Sequence, residues 1–152
     1  MKIKKTQVGI IGAGPAGLTL ARLLFESGIS TVILEAKDRE YVENRIRAGV
    51  LEKGSVQLLG RAKSDARLQS NAQIHKGIEI SLNGDRCRVN LEKLSGGKHV
   101  TVYVQTAITI DLIEVHTKLG GEIIFEASNV MPRDFETKTP VIQYESLSLI
   151  HI

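Results

Sequence analysis

Apolar and polar positions near the start of the chain follow the order of a strand, a helix and a second strand. Gln7–Gly12 is almost entirely apolar, which predicts a strand buried on both faces. Pro15–Ser27 has helical spacing, Gly28 closes that helix, and Thr31–Glu35 follows as a second, parallel strand. The apolar face of the helix comprises Leu18, Ala21, Leu24 and Phe25. The pattern predicts a β-α-β unit.

Beyond this unit the pattern predicts further elements of both kinds. Residues 36–47 are polar and predict a loop or a short helix, while 60–74 show no clear period. Helices are predicted over Gly49–Leu59 and over Thr106–Leu119, where Gly120 and Gly121 end the second one. The remaining predicted strands are Val100–Val104, Glu122–Phe125 and Val141–Tyr144.

Between these elements the apolar period changes to two. Ile78, Ile80 and Leu82 alternate with polar residues, and Cys87, Val89 and Leu91 do the same. Asn83-Gly84 between the two runs is the pair favoured in a type I′ turn. Residues 77–91 are therefore predicted to form a β-hairpin that starts a second sheet within an α/β domain.

The glycines of the first β-α turn have the spacing of a dinucleotide-binding fingerprint. Gly12, Gly14 and Gly17 form G-x-G-x-x-G between the first strand and the helix, and Glu35 ends the next strand. The first glycine permits a tight turn, the second lets a pyrophosphate approach, and the third lets the helix pack on the sheet. Glu35 can accept hydrogen bonds from a ribose. The motif fits NAD, NADP or FAD, and Pro15 at the helix start favours FAD because GAGPAG is common in FAD-binding domains.

Composition narrows the class of protein. The chain has 152 residues, of which 24% are charged and 42% hydrophobic, as in an ordinary globular domain. The net charge of +3 without a long basic run gives no reason to predict nucleic-acid binding. Cys87 is the only cysteine, so an internal disulfide and a cysteine metal cage are excluded, and no metal site is predicted. The first apolar stretch is interrupted by glycines, Pro15 and Arg22, so we predict no membrane span and a cytoplasmic protein.

Several longer motifs together resemble one enzyme family. They are GAGPAGL, ILE, RIRAGVLEKG, KGIEISLNG and LSGGKHVTVYVQT, and the resemblance extends from about residue 6 to 121. The chain is similar to the N-terminal part of the FAD-dependent aromatic hydroxylases. This resemblance implies a Rossmann-like FAD-binding parallel sheet and hydroxylation of a phenolic acid, 4-hydroxybenzoate, to 3,4-dihydroxybenzoate. It further implies NADPH or NADH as co-substrate, O2 as oxidant, and a parent protein that forms a homodimer.

The resemblance also implies roles for individual residues. Glu35 would bind the FAD ribose, Arg45 and Arg47 would face the pyrophosphate, and His75 would end a proton relay to the substrate phenol. Ala36 stands where members that use NADPH favour arginine, which leaves the choice of nicotinamide cofactor open. The other implied cofactor-binding residues are Gly12, Gly14, Ala16, Gly17, Ile46, Ala48, Gly49, Val50 and Gln105.

The end of the sequence predicts an incomplete protein. Only a short polar stretch and LSLIHI follow the last predicted strand, whereas a Rossmann-like sheet normally has more strands. We therefore expect a fragment with an FAD-binding domain over 1–145 and a tail, 146–152, that is not native. The hairpin at 77–91 would belong to the substrate-domain sheet of the parent. Such a fragment is expected to be inactive alone.

Two other functions fit the fingerprint. A stand-alone nucleotide-binding module would bind FAD or NAD weakly and catalyse nothing. An NAD(P)-dependent dehydrogenase fragment would bind nicotinamide without flavin colour. The hairpin and the R-I-R segment argue against the dehydrogenase, because a simple dehydrogenase domain would continue with parallel strands.

Overall fold

The fold is described by a computed structural model over residues 3–46 and 48–146. Strands and helices alternate over residues 8–61, as the sequence pattern predicts, and the strands within the two described ranges form four separate sheets. In chain order the elements are β1 (Val8–Ile11), α1 (Pro15–Glu26), β2 (Thr31–Leu34), α2 (Arg39–Asn44), β3 (Val50–Glu52), α3 (Lys53–Arg61), α4 (Ala66–Asn71), β4 (Gln73–His75), β5 (Gly77–Leu82), β6 (Asp85–Asn90), α5 (Leu91–Leu94), β7 (Val100–Val102), α6 (Gln105–Lys118), β8 (Glu122–Ile124), β9 (Ala127–Arg133) and β10 (Val141–Ser146).

The central sheet is parallel and has the order β1-β2-β8. Strand β1 pairs with β2 from Val8 opposite Thr31 to Ile11 opposite Leu34. Strand β8 pairs with the other edge of β2. The predicted β-α-β unit and the Rossmann-like α/β fold are confirmed.

Helices α1 and α6 cover this sheet and supply most of its core. The fully buried residues include Leu18 and Ala21 of α1, Ile33 of β2, and Leu112 and Ile113 of α6. Each lies at a position that the helical or strand period marks as apolar. The predicted apolar face of α1 is therefore confirmed, because Leu24 and Phe25 also pack against this core.

Glycines end both helices as predicted. Gly28 has a φ of 73°, and its N–H donates to the carbonyl of Phe25 at 2.9 Å. Gly120 has a φ of 85° and donates to Thr117 at 3.0 Å. A left-handed residue at this place redirects the chain and satisfies a terminal carbonyl, which is why glycine is favoured there.

The predicted helix over Gly49–Leu59 is wrong in its first part. Val50–Glu52 forms strand β3, and the helix begins only at Lys53. Residues 50–52 pair antiparallel with Val100–Val102 of β7, and β4 pairs with the other edge of β7. Pairing with a strand distant in sequence has overridden the local helical period.

The predicted hairpin is present. Strands β5 and β6 pair from Gly77 opposite Asn90 to Leu82 opposite Asp85. Asn83 and Gly84 have φ angles of 51° and 93°, as a type I′ turn requires. The second strand is shorter than predicted because the Asn90 side chain accepts from the Lys93 N–H and starts α5 at Leu91.

A second hairpin, β9–β10, lies against the parallel sheet, and its first strand was not predicted. The Ile142 side chain packs over Gly9, where an added Cβ would lie 2.6 Å from Ile142 Cδ1. Strand β10 continues past the predicted Tyr144 to Ser146, which pairs with Ala127. Of the predicted tail, 146–152, only Ser146 lies within the described residues.

Over the residues that the structure covers, no helix combines the length and apolar character needed to cross a membrane.

Candidate dinucleotide-binding site

The turn that follows β1 has the geometry its glycines predict. Gly12 has a φ of 104°, and its N–H donates to the Leu34 carbonyl at 2.7 Å. A Cβ on Gly17 would lie 2.2 Å from the Gly12 carbonyl oxygen and 3.2 Å from Ile10 Cγ2. Gly12 therefore makes the turn, and Gly17 brings α1 close to the strand.

This turn leaves the first N–H groups of α1 available at the helix end. Gly14 caps the helix with an extended backbone and without a side-chain hydrogen bond, and Pro15 has no N–H to satisfy. The Leu18 N–H makes the first bond of the helix, to the Gly14 carbonyl at 3.0 Å. The N–H groups of Ala16 and Gly17 precede that bond and point out of the helix end. Such an end, with its positive dipole, favours phosphate oxygens.

Glu35 lies beside this helix end at the carboxyl end of β2. Its two side-chain oxygens accept from the Ala13 N–H at 2.7 Å and from the Lys37 N–H at 2.9 Å. Its own carbonyl accepts from the Ala127 N–H at 2.9 Å, so its backbone is also held. The carboxylate is therefore fixed in orientation before any ligand binds.

Glu35 and the start of α1 form one wall of a cleft of about 170 Å³, which we call the small cleft. Lys37 and Arg45 also belong to its lining and place two cations there. Its lining comprises Ala13, Gly14, Pro15, Glu35, Ala36, Lys37, Tyr41, Val42, Arg45 and Thr109. A carboxylate for hydroxyl groups and cations for phosphate are thus found together.

A second cleft of about 530 Å³, which we call the large cleft, also borders α1. Its walls are mostly apolar, and Pro15 borders both clefts. Its lining comprises Pro15, Ala16, Thr19, Leu20, Leu23, Ala48, Val50, Leu51, Ser55, Leu58, Leu59, Gln105 and Ile108. The two clefts therefore meet at the N-terminus of α1, as a dinucleotide with one polar and one flat apolar half would need.

The structure brings most of the predicted site residues to this place. Gly14, Glu35 and Arg45 line the small cleft. Ala16, Ala48, Val50 and Gln105 line the large cleft. Gly12 and Gly17 form the turn beneath them.

Other predicted residues lie elsewhere. Gly49 pairs its carbonyl with the Tyr103 N–H at 2.9 Å and so holds the wall of the large cleft. Ile46 is 89% exposed, and Arg47 lies outside the described residues. His75 ends β4 as an exposed residue and lines neither cleft.

Sequence reasoning missed several lining residues. Thr109 follows Gln105 by one helical turn, and its hydroxyl donates to the Gln105 carbonyl at 3.1 Å. Helical spacing from Gln105 could have indicated it. Tyr41 and Val42 come from α2, the short helix that the polar segment 36–47 predicted. Thr19, Leu20 and Leu58 gave no signal, because they look like ordinary helix residues.

The fold and this site define a nucleotide-binding α/β protein, and comparison with known proteins assigns the family. Residues 5–148 match the family described as FAD binding domain, so the chain belongs to that family. The chain is 45% identical over 146 residues to the p-hydroxybenzoate hydroxylase of Acinetobacter baylyi. This alignment covers 96% of this chain and 36% of that protein. The predicted resemblance to the flavoprotein aromatic hydroxylases and the predicted cofactor of the family, FAD, are confirmed. The chain spans only about a third of the length of this curated relative, 36%.

Solved structures agree on the fold. The structure matches PqsL of Pseudomonas aeruginosa with a TM-score of 0.76 and 19% identity, over 92% of this chain and 39% of that one. It matches a flavoprotein/dehydrogenase from Cytophaga hutchinsonii with a TM-score of 0.75 and 25% identity, over 95% of this chain and 35% of that one.

Proposed function

We propose that this chain forms the FAD-binding part of a flavoprotein monooxygenase that hydroxylates 4-hydroxybenzoate, or a closely related phenolic acid, to the 3,4-dihydroxy product. The reaction would use NADPH or NADH and O2. The observation that carries the proposal is the pair of clefts joined at the N-terminus of α1, with Glu35 on the small cleft and Gln105 on the large one. The named relative supports the substrate class.

In this proposal the predicted site residues at the two clefts bind different parts of FAD. Glu35 accepts hydrogen bonds from the ribose hydroxyls, and the N–H groups of Ala16 and Gly17 with the Arg45 guanidinium bind the pyrophosphate. The apolar large cleft excludes water from the flavin side, where Gln105 supplies a polar contact. When bound, FAD supplies the acceptance of hydride and the reaction with O2.

Three further assignments are part of the proposal. Arg47 and Ile46 belong to the cofactor-facing R-I-R segment, and His75 serves as the outer end of a proton relay that ionises the substrate phenol. The exposure of His75 suits exchange of protons with solvent. A His75→Gln variant of a protein of the relatives' full length should lose activity at the pH where phenol ionisation limits the rate, without a change in FAD affinity.

We propose that the described chain binds FAD but does not hydroxylate by itself. The chain spans 36% of the p-hydroxybenzoate hydroxylase. The hairpin β5–β6 supports this view, because Ile78, Ile80 and Leu82 are each 46% exposed or more on one face. Such a face is suited to joining the substrate-domain sheet of a longer protein. In that protein, residues 1–145 would form the FAD-binding domain. The parent would act in the cytoplasm, with a small phenolic acid and O2 as its partners, and as a homodimer.

The first test is FAD binding to the purified chain, measured by quenching of flavin fluorescence. We expect binding, and we expect Glu35→Gln to raise the dissociation constant about tenfold, because hydrogen bonds to a charged group are worth about 1.5–3 kcal/mol. Glu40→Gln, an exposed change in α2 outside the clefts, is the matched control and should leave FAD affinity unchanged.

Two outcomes would contradict the proposal. Binding of NAD without FAD would favour a dehydrogenase fragment. In a protein of the relatives' length, absence of nicotinamide oxidation stimulated by a phenolic acid would favour a nucleotide-binding module without catalysis.

A further inference from the structure

Three side chains from different parts of the chain meet behind the large cleft. The Tyr103 hydroxyl donates to Asp111 Oδ2 at 2.9 Å and accepts from Arg67 Nε at 3.1 Å. Arg67 Nη2 lies 2.7 Å from Asp111 Oδ1 and donates to the Ala107 carbonyl at 3.1 Å. This network ties α4, the end of β7 and the first turns of α6 together.

The backbone of Tyr103 is tied to the segment that carries Ala48 and Val50, two residues that line the large cleft. Its N–H donates to the Gly49 carbonyl at 2.9 Å. A Cβ on Gly49 would lie 3.2 Å from the Tyr103 carbonyl oxygen, so the two backbones are in close contact. Gly49 lies between Ala48 and Val50, which line the cleft. Gln105, which also lines this cleft, follows Tyr103 by two residues and begins α6.

A tyrosine at this position has a polar role beyond filling space. Its side chain is 7% exposed, so its hydroxyl would be costly to bury without partners. Burial, and next the nearby Asp111, raise the pKa of Tyr103. The hydroxyl therefore stays protonated and remains a donor to Asp111.

We propose that Tyr103, held by Asp111 and Arg67, is a positioning residue that fixes Gln105 and the segment 48–50 at the separation that the cofactor requires. The inference rests on the proposed FAD binding. Tyr103 itself lines neither cleft. It acts through the backbone of Gly49 on one side and through the start of α6 on the other.

The test compares Tyr103→Phe with Ile113→Val in the purified chain. The first variant removes only the hydroxyl and its two hydrogen bonds. The second removes one methyl group from a fully buried residue of α6, with a similar expected loss of stability. FAD dissociation constants, the visible circular dichroism of bound FAD and unfolding midpoints are measured for both.

We expect Tyr103→Phe to raise the FAD dissociation constant about threefold to tenfold and to change the flavin circular dichroism. Ile113→Val should lower the unfolding midpoint by a similar amount and leave both flavin measurements unchanged. Arg67→Met provides a second variant at a half-exposed side chain, and it should shift both flavin measurements in the same direction as Tyr103→Phe but less.

The outcomes separate this inference from the proposed function. If the unmodified chain binds no FAD, the proposed function fails. If the unmodified chain binds FAD and Glu35→Gln weakens it, an unchanged affinity and spectrum in Tyr103→Phe overturn the positioning role alone. Equal weakening by Ile113→Val and Tyr103→Phe would also overturn it, because the effect would then follow stability.

Discussion

Polar groups face a cleft at one end of the α1–α6 helix pair and are buried at the other end. The helices run in the same direction, since Pro15 and Gln105 at their starts line the large cleft and Phe25 and His116 meet near their ends. At the starting end, backbone N–H groups face a cleft. At the far end, charged and polar side chains are sealed inside the protein.

The sealed end is built around Arg22, whose side chain is fully buried. Its Nε and Nη2 donate to the Ala62 carbonyl at 3.2 and 3.1 Å, and Nη2 also donates to Glu26 at 2.5 Å. The exposed Lys63 also pairs with Glu26. The hydrogen bond from Lys63, and to a smaller extent that from Arg22, lowers the pKa of Glu26. The buried charge is thus compensated by a carboxylate and a helix-end carbonyl.

His116 is less well compensated. It is fully buried, and among the described residues neither of its ring nitrogens has a hydrogen-bond partner; Arg22 Nη1 has none either. Phe25 meets the imidazole edge to face, with the ring centroids 6.3 Å apart. Burial, and next the positive charge of Arg22, lower the pKa of His116.

Unpaired polar groups at the two ends differ in their effect on the free energy of unfolding. Unpaired N–H groups at an accessible helix end are satisfied by water until a ligand replaces it, so they cost little and are ready to bind. Unpaired atoms in a closed core lower stability by about 1–3 kcal/mol each. We therefore expect changes at the starting end to act mainly on FAD and changes at the far end to act mainly on stability and its pH dependence.

The largest effect is expected from Gly17→Ala at the starting end. Its Cβ would lie 2.2 Å from the Gly12 carbonyl, so either α1 or the glycine turn must move. We expect a loss of about 3 kcal/mol in the free energy of unfolding, together with loss of FAD binding. Chemical denaturation and flavin fluorescence measure the two effects.

Gly54→Ala in α3 is the control for Gly17→Ala, because nothing lies within 4 Å of its added Cβ. It should leave FAD binding intact and change stability by less than about 1 kcal/mol. Normal FAD affinity in Gly17→Ala would show that the close contact of α1 with the turn is not needed for the site.

The next effect concerns pH at the far end. Because the pKa of His116 is lowered by folding, the unfolded chain binds its proton first. The free energy of unfolding is therefore unaffected by His116 above the pKa of the unfolded chain, about 6.5. It decreases by about 1.4 kcal/mol per pH unit as the pH falls from there towards the pKa of His116 in the folded chain. His116→Leu should therefore have a shallower fall in unfolding free energy between about pH 7 and 5 than the unmodified chain.

His75→Gln, at an exposed histidine of β4, serves as the control for His116→Leu and should retain the original slope. Identical slopes in the unmodified chain and in His116→Leu would show that the buried imidazole does not govern acid stability. The FAD dissociation constant at neutral pH should be the same in all three proteins.

The smallest effect is expected from Gly49→Ala. An added Cβ would lie 3.2 Å from the Tyr103 carbonyl oxygen, so the neighbouring backbone must yield slightly. We expect the FAD dissociation constant to rise about twofold, which corresponds to about 0.4 kcal/mol. Flavin titration against Gly54→Ala measures this change, and an equal effect of the two substitutions would mean that the Gly49–Tyr103 contact is not critical.

The elements that sequence predicted correctly are those fixed by neighbours along the chain. The Gly12 turn, the left-handed Gly28 and the Asn83-Gly84 hairpin each depend on a few adjacent residues. Strand β3 was predicted as helix, because its state depends on pairing with β7, far away in sequence. The burial of Arg22 gave no signal, since charged side chains are rarely buried and the Ala62 carbonyl that receives it comes from another helix.

The sequence by itself determined the β-α-β unit, the glycine turn, the acid at the end of β2 and the family to which the chain belongs. The structural features follow from backbone conformation and apolar period, which act over short stretches of chain, whereas the family follows from the resemblance of longer motifs. Only the tertiary structure decided that the clefts meet at Pro15, that Tyr103 bonds to both Asp111 and Gly49, and that His116 is buried near Arg22. These three features depend on how segments distant in sequence pack together. Such contacts do not change the apolar period of either segment, so the sequence pattern does not predict them.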